Sequence, residues 1–184
     1  MPSPIAHIAA GFAISRMYQI TKPEDQDGIV EDAHHLDFAA TGIIVFASML
    51  PDADAILGIL FSDFGAYHNQ FTHSLFMGLV SAVIFSTLFC LLADRKFMQT
   101  LTMILSGYWI HVLLDSMTPG RGVMLLWPWS NNRFQTGWKF FYGVHWSEGW
   151  FSPHHLVTLF TEIIFGFFIF FAIRFIYFKM KGRG

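Results

Sequence analysis

Residues 74–93 run for twenty positions without a charged side chain. As a helix that run is about 30 Å long, the thickness of a bilayer's hydrocarbon core. Residues 156–178 form a second such run, interrupted only by Glu162 and by Arg174, which is close enough to the end to snorkel. Residues 98–117 are apolar apart from His111 and Asp115, and polar groups inside a span normally face protein or a watery cavity. Residues 38–50 stop at Pro51 after thirteen positions, as a short tilted helix or one that begins earlier. Residues 4–18 read as a comparable short helix. The pattern predicts an all-α, polytopic membrane helical bundle of about five helices, some short, in a single domain over residues 1–184.

The connections are polar and differ in kind. Residues 21–37 are acid-rich, with Glu24, Asp25, Asp27, Glu31 and Asp32, and read as a solvated loop. Residues 63–71 are a shorter link, and Asp94-Arg95-Lys96 is a tight hinge. Residues 118–153 hold Trp127, Trp129, Trp138, Trp146 and Trp150, a clustering that suits an outer interfacial loop.

Composition agrees with a lipid-facing surface. Hydrophobic residues make up 54% and charged residues 13%, against roughly 25% charged in soluble chains. The net charge of -2 provides no basic stripe, which excludes a nucleic-acid partner. Cys90 is the only cysteine, so neither an internal disulfide nor a thiolate zinc cluster can form. The first eighteen residues reach a basic side chain only at Arg16, the reverse of a cleaved signal, and are expected to belong to the mature fold.

Basic residues set the orientation. Arg95 and Lys96 end one long span, and Lys179, Lys181 and Arg183 follow the other, so both ends are expected in the cytoplasm. Alternate threading adds Arg16, Lys22 and Arg174 to that side and leaves Arg121, Arg133 and Lys139 outside. A multi-pass membrane protein follows, with its chemistry on the extracytoplasmic side.

Seven histidines (His7, His68, His73, His111, His145, His154, His155) and Asp52, Asp54 and Asp115 map to that outer level, whereas His34 and His35 do not. Buried imidazoles and carboxylates in lipid need partners, and a divalent cation is the simplest shared one. Ligation by His and Asp without thiolate suits zinc first, with manganese or iron as alternatives. His111 and Asp115 stand at i and i+4 on one helix face, where they either share an ion or hydrogen bond to each other. Asp52 is the better ligand of the pair after Pro51, since Asp54 is equally suited to cap a helix starting near Ala55. His68 and His73 precede a span that Thr72 or Ser74 would cap. An ordinary solvent-exposed His68 and an ordinary interfacial His7 are the rival readings.

Taken together, Pro51-Asp52-Ala53-Asp54, residues 68–74, His111-x-x-x-Asp115 and residues 118–128 resemble the LexA-regulated, inner-membrane-associated metal-dependent hydrolases. The resemblance runs from His7 to about Pro128 and leaves out the carboxyl-terminal third. It implies a metal-dependent hydrolase with ligands drawn from His7, Asp52, His68, His73, His111 and Asp115, holding one to three ions. Asn69 stands where the family pattern has Arg, and the loop after Pro119 is one residue longer, adding Arg121, which can restore a positive group near the site. A weaker likeness, in ligand order alone, is to secreted zinc-dependent phospholipase C and related nucleases. Their late His-x-x-x-Glu is matched neither by His145 and Glu148 nor by His155 and Glu162.

The expected activity is hydrolysis of a membrane lipid or lipid-linked phosphoester by metal-activated water, with Asp52 or Asp54 accepting the proton. Arg121, Arg133 and Lys139 are expected to attract the headgroup. The main alternative is a membrane ion or metal transport or metal-handling protein using the same cluster. It requires polar residues that continue through the bilayer, and residues 74–93 offer only Ser81, Ser86 and Thr87. A haem protein would have no use for the aspartates, and a purely structural protein leaves the buried His and Asp unexplained.

Overall fold

The computed structural model describes residues 2–21, 37–61, 67–144 and 152–181. Six α-helices are formed among them: α1 (Pro4–Thr21), α2 (Phe38–Ala47), α3 (Asp54–Leu60), α4 (Leu75–Ala93), α5 (Phe97–Ser116) and α6 (His154–Lys181). Three of these, α4, α5 and residues 154–179 of α6, are long and apolar enough to cross a membrane. The fold is the expected all-helical membrane bundle. Most of the acid-rich stretch at 21–37, with His34 and His35, lies outside the described residues, as do His145, Trp146, Glu148 and Trp150.

Local chemistry explains the boundaries. Asp37 caps α2 by accepting a hydrogen bond from the Ala40 amide at 2.9 Å. Pro51 has no N–H to continue a helix, so the chain passes through a 3-10 turn (Leu50–Ala53) and restarts as α3, bent by 53° from α2. That restart is the helix beyond the five expected. Ser74, rather than Thr72, caps α4, its hydroxyl accepting from the Met77 amide. Asp94 then takes a left-handed conformation (φ 49°), and the hinge through Lys96 turns the chain into α5.

Small residues set how closely the helices pack. The buried positions of α4 are Gly78, Ala82 and Ser86, one stripe that admits α5. A Cβ on Gly78 would come within 2.5 Å of the Trp109 indole nitrogen. On α1 and α5, a Cβ at Gly11 would meet the Ser48 hydroxyl at 2.6 Å, and one at Gly107 the Ile44 carbonyl at 2.5 Å. Both glycines therefore let their helices close on the carboxyl end of α2. The apolar core below that end is Ala40, Ile43, Ile44, Ala82, Met103 and Ile104.

Helix α6 lies against α1 and is otherwise largely exposed, with Leu156, Phe160, Phe168 and Phe175 facing outward. Its interrupting carboxylate is used: Glu162, 1% exposed, accepts hydrogen bonds from the amide and hydroxyl of Ser3 and so ties α6 to the start of α1. Between α5 and α6, residues 118–144 form an irregular layer with one antiparallel bridge, Val123 to Phe134. Trp127 packs on Phe71 and Phe76, and Trp129 on Phe76, so the tryptophans cover the start of α4.

Candidate metal centre

Four chain segments bring polar side chains to one end of the bundle. His7 comes from the first turns of α1, Asp52 from the 3-10 turn after α2, and His73 from the turn before α4. His111 and Asp115 come from the last turns of α5. His7, His73 and His111 are fully buried, Asp115 is 3% exposed and His68 4%. Neither the solvent-exposed His68 nor the ordinary interfacial His7 describes the fold.

Four ligand atoms form a compact set: His73 Nε2, His111 Nε2, Asp115 Oδ2 and Asp52 Oδ1. The two imidazole nitrogens are 3.2 Å apart. Asp52 Oδ1 lies 3.6 Å from His73 and 3.4 Å from His111. Asp115 Oδ2 lies 3.2 Å from His73 and 3.7 Å from His111. Tetrahedral ligands roughly 2.0–2.1 Å from a zinc ion stand about 3.3–3.4 Å from one another, so these separations match the edges of one coordination tetrahedron. Asp52 Oδ1 and both Asp115 oxygens are buried and have no hydrogen-bond partner among the described residues. Three carboxylate oxygens left so would be costly, and a cation satisfies them together. The donor set therefore fits a divalent metal.

The surrounding hydrogen bonds aim the imidazoles. His111 Nδ1 donates to the Ser48 carbonyl at 2.7 Å, which leaves the Nε2 lone pair for the centre. Asp54 does the same for two other rings. One of its oxygens accepts from His68 Nδ1 at 2.6 Å. The other accepts from the Thr72 hydroxyl at 2.5 Å and the Asn69 amide at 3.1 Å. Thr72 in turn lies 3.0 Å from His73 Nδ1, with its oxygen as acceptor. A carboxylate only accepts, so His68 and His73 must carry their protons on Nδ1 and turn Nε2 toward Asp52. Asp54 begins α3 but makes no capping bond to it; the loop before α4 uses its oxygens instead. Asp52, Asp54 and His68 form a second, smaller set that a cation could join.

The electrostatics are those of a site that seeks positive charge. Burial alone would lower the pKa of His73, but the carboxylates of Asp115, Asp52 and Asp54 outweigh it and hold the imidazole well above its ordinary 6.5. Without a metal, a proton at His73 serves in its place.

His7 sits beside this set rather than in it. Its ring stacks on His111 and its Nε2 lies 3.4 Å from Asp115 Oδ1. Arg121 donates to the His68 carbonyl at 3.1 Å. Arg133 donates to the carbonyls of Asn69 and Gly122 and to the Gln70 side chain. Lys139 reaches the carbonyls of Ser116 and Thr118 at the end of α5. All three outer cations, expected to attract a headgroup, thus hold backbone in place around the site. Asn69, where the family pattern has Arg, adopts φ 62°, a conformation that asparagine tolerates better than arginine. His154 and His155 stand at the start of α6 and belong to neither ligand set, and Glu162 is engaged by Ser3. Sequence reasoning missed Thr72 as a bridge and the Ser48 carbonyl as a buttress; the Asp54 and Thr72 pairing has a sequence signal only in their shared nearness to the two histidines.

No solved structure matches the chain. It is 38% identical over 111 residues to the inner membrane protein YbcI of Escherichia coli (strain K12), an alignment covering 53% of this chain and 57% of that protein. A family description matches far more of it, from residue 1 to residue 182, and it names the compartment that the apolar helices require. The chain belongs to the YdjM inner membrane protein family.

Proposed function

We propose that this protein is a metal-dependent hydrolase of the inner membrane, acting on a lipid or lipid-linked phosphoester. The observation that carries the reading is the set of buried, donor-less oxygens on Asp52 and Asp115 facing the Nε2 atoms of His73 and His111. His73, His111 and Asp115 would hold the ion. When bound, a divalent cation supplies a Lewis acid for the phosphoryl oxygen and lowers the pKa of water toward about 7.

The protein's own groups divide the remaining work. Asp52 is the member of the set that solvent reaches, its side chain 14% exposed while those of His73, His111 and Asp115 are fully buried. A catalytic zinc site keeps three protein ligands and an open position, and Asp52 is the group placed to yield that position and accept the proton of water. Asp54 is committed to His68, Thr72 and Asn69, so it orients rather than accepts. An apolar cleft of about 330 Å³, lined by Leu57, Tyr67, Phe71 and Trp127, adjoins the loop that carries His68 and suits an acyl-bearing substrate. Arg121 stands over the same loop through the His68 carbonyl.

A conduit for ions is less well supported, because the apolar core of Ile43, Ile44, Met103 and Ile104 lies directly inward of the cluster. The deciding experiment is elemental analysis of detergent-purified protein beside His111→Ala and Asp115→Ala variants, followed by phosphodiester and phosphomonoester lipid assays on the metal-loaded forms. Wild type is expected to retain zinc, manganese or iron and to release product, and both variants to lose both. Equal metal in all three would sink the reading. Control of expression by LexA, which the family resemblance implies, is tested by comparing transcript levels with and without LexA.

A further inference from the structure

At the other end of α1, two arginines from different helices open onto one apolar cleft of about 360 Å³. Helix α1 lines it with Phe12, Arg16 and Ile20, and α6 with Phe170, Arg174 and Phe178. Each triplet is spaced i, i+4, i+8, which puts its members on one helical face with the arginine in the middle. The two helices run parallel. Ser3 meets Glu162 near one end, and Arg16 and Arg174 follow thirteen and twelve residues later, so the guanidinium groups arrive at the same level. That level is about 14 Å from His7 along α1, at 1.5 Å per residue, and is separate from the metal centre.

Neither arginine has a carboxylate partner among the described residues. Arg16 donates to the side chain of Gln19 at 3.1 Å, and Arg174 lies over the ring of Phe178 at 5.1 Å. Two guanidinium groups beside a wall of phenyl rings, with no carboxylate partner among the described residues, are complementary to one kind of molecule in a bilayer: a phosphate carrying acyl chains. We propose that this cleft is a binding site for an anionic phospholipid, whose phosphate sits between Arg16 and Arg174 and whose chains lie along Phe12 and Phe170. The site serves to hold α6 against α1 and is independent of hydrolysis.

Native mass spectrometry of the purified full chain, titrated with phosphatidylglycerol or phosphatidylcholine, tests it. Phosphatidylglycerol is expected to bind roughly tenfold or more tightly than phosphatidylcholine. The Arg16→Gln/Arg174→Gln double variant is expected to lose that preference while keeping its metal content. Equal binding of the two lipids, or a preference that survives the double variant, would overturn the proposal, as would equal stabilisation by inorganic phosphate. Should the double variant fail to fold, wild-type protein with a photoreactive phosphatidylglycerol decides: cross-links are expected within residues 12–20 and 170–178, and cross-links confined elsewhere refute the site.

Discussion

The rings of His7 and His111 stack face to face, their centroids 3.6 Å apart and their planes 14° from parallel. Each histidine has a glycine one turn away, Gly11 on α1 and Gly107 on α5, and each glycine faces the end of α2. The stack therefore depends on backbone proximity. Replacing Gly107 by Ala drives a methyl group to 2.5 Å from the Ile44 carbonyl and 2.9 Å from Ala47. Overpacking of this kind costs about 1–3 kcal/mol and would push His111 off the Ser48 carbonyl. Gly107→Ala is expected to lower both the unfolding temperature and metal content. Gly42→Ala, on a helix face with nothing within 4 Å, is the control and should be neutral or slightly stabilising. Equal behaviour of the two variants would show that the close approach is unimportant.

His7 supports the centre without belonging to its compact set of ligand atoms. His7→Phe keeps a flat ring on His111 but removes the nitrogen 3.4 Å from Asp115. Partners that orient a metal ligand typically contribute 10–100-fold in affinity. A loss of roughly that size is expected in a competitive chelator titration, against complete loss for His111→Ala. Metal affinity as poor as that of His111→Ala would instead make His7 a direct ligand.

Asp54 fixes two imidazoles, so its removal should be felt at a distance. In Asp54→Ala, His68 loses the acceptor that holds the proton on Nδ1, and Thr72, which accepts from His73 Nδ1, loses the carboxylate that orients its hydroxyl. The expected result is a folded protein with metal affinity lowered roughly 10–100-fold. Thr72→Val should reproduce the part transmitted through His73. An Asp54→Ala protein with wild-type affinity would mean that the imidazoles need no such aiming.

The sequence made much of this centre legible because helix periodicity is local. His111 and Asp115 share a face by arithmetic alone, and Pro51 announces the break that presents Asp52. Asp54 was ambiguous for a physical reason: a carboxylate at a helix start can cap its own helix or reach a distant donor, and only the folded path of residues 68–72 decides. Arg121, Arg133 and Lys139 illustrate the same limit. Their charge predicts an attraction for anions but not the carbonyls they donate to, those of His68 and Asn69 before α4 and of Ser116 at the end of α5. The Ser48 carbonyl left no mark in the sequence, since every residue has one. The closeness of α1 and α5 to it was signalled only by Gly11 and Gly107.

Protonation of His73 gives the metal-free protein a defined pH dependence. The folded pKa is raised above 6.5, so the stabilising contribution is complete below about pH 6.5 and is lost as pH rises through the raised value. Thermal unfolding in chelator should therefore show a midpoint that falls from pH 6.5 upward. With metal at the centre that proton is displaced, and apparent affinity should rise with pH over the same window. A metal-free midpoint that is flat or rises above pH 6.5 would contradict the assignment of His73 as the proton-bearing member.

Asp52 separates binding from chemistry. It is the one member of the compact set whose side chain solvent reaches, and its Oδ1 lies 3.4–3.7 Å from the Nε2 atoms of three histidines. If His73, His111 and Asp115 suffice to hold the ion, Asp52→Asn should leave metal content close to wild type. The amide oxygen can still face the ion, but an amide cannot accept the proton of water. Hydrolysis should then fall by about 10²–10⁴-fold, the usual contribution of a positioned base, and kcat should fall far more than KM rises. Loss of metal in parallel with activity would instead make Asp52 an obligatory ligand, and the open position would have to be sought beside His68.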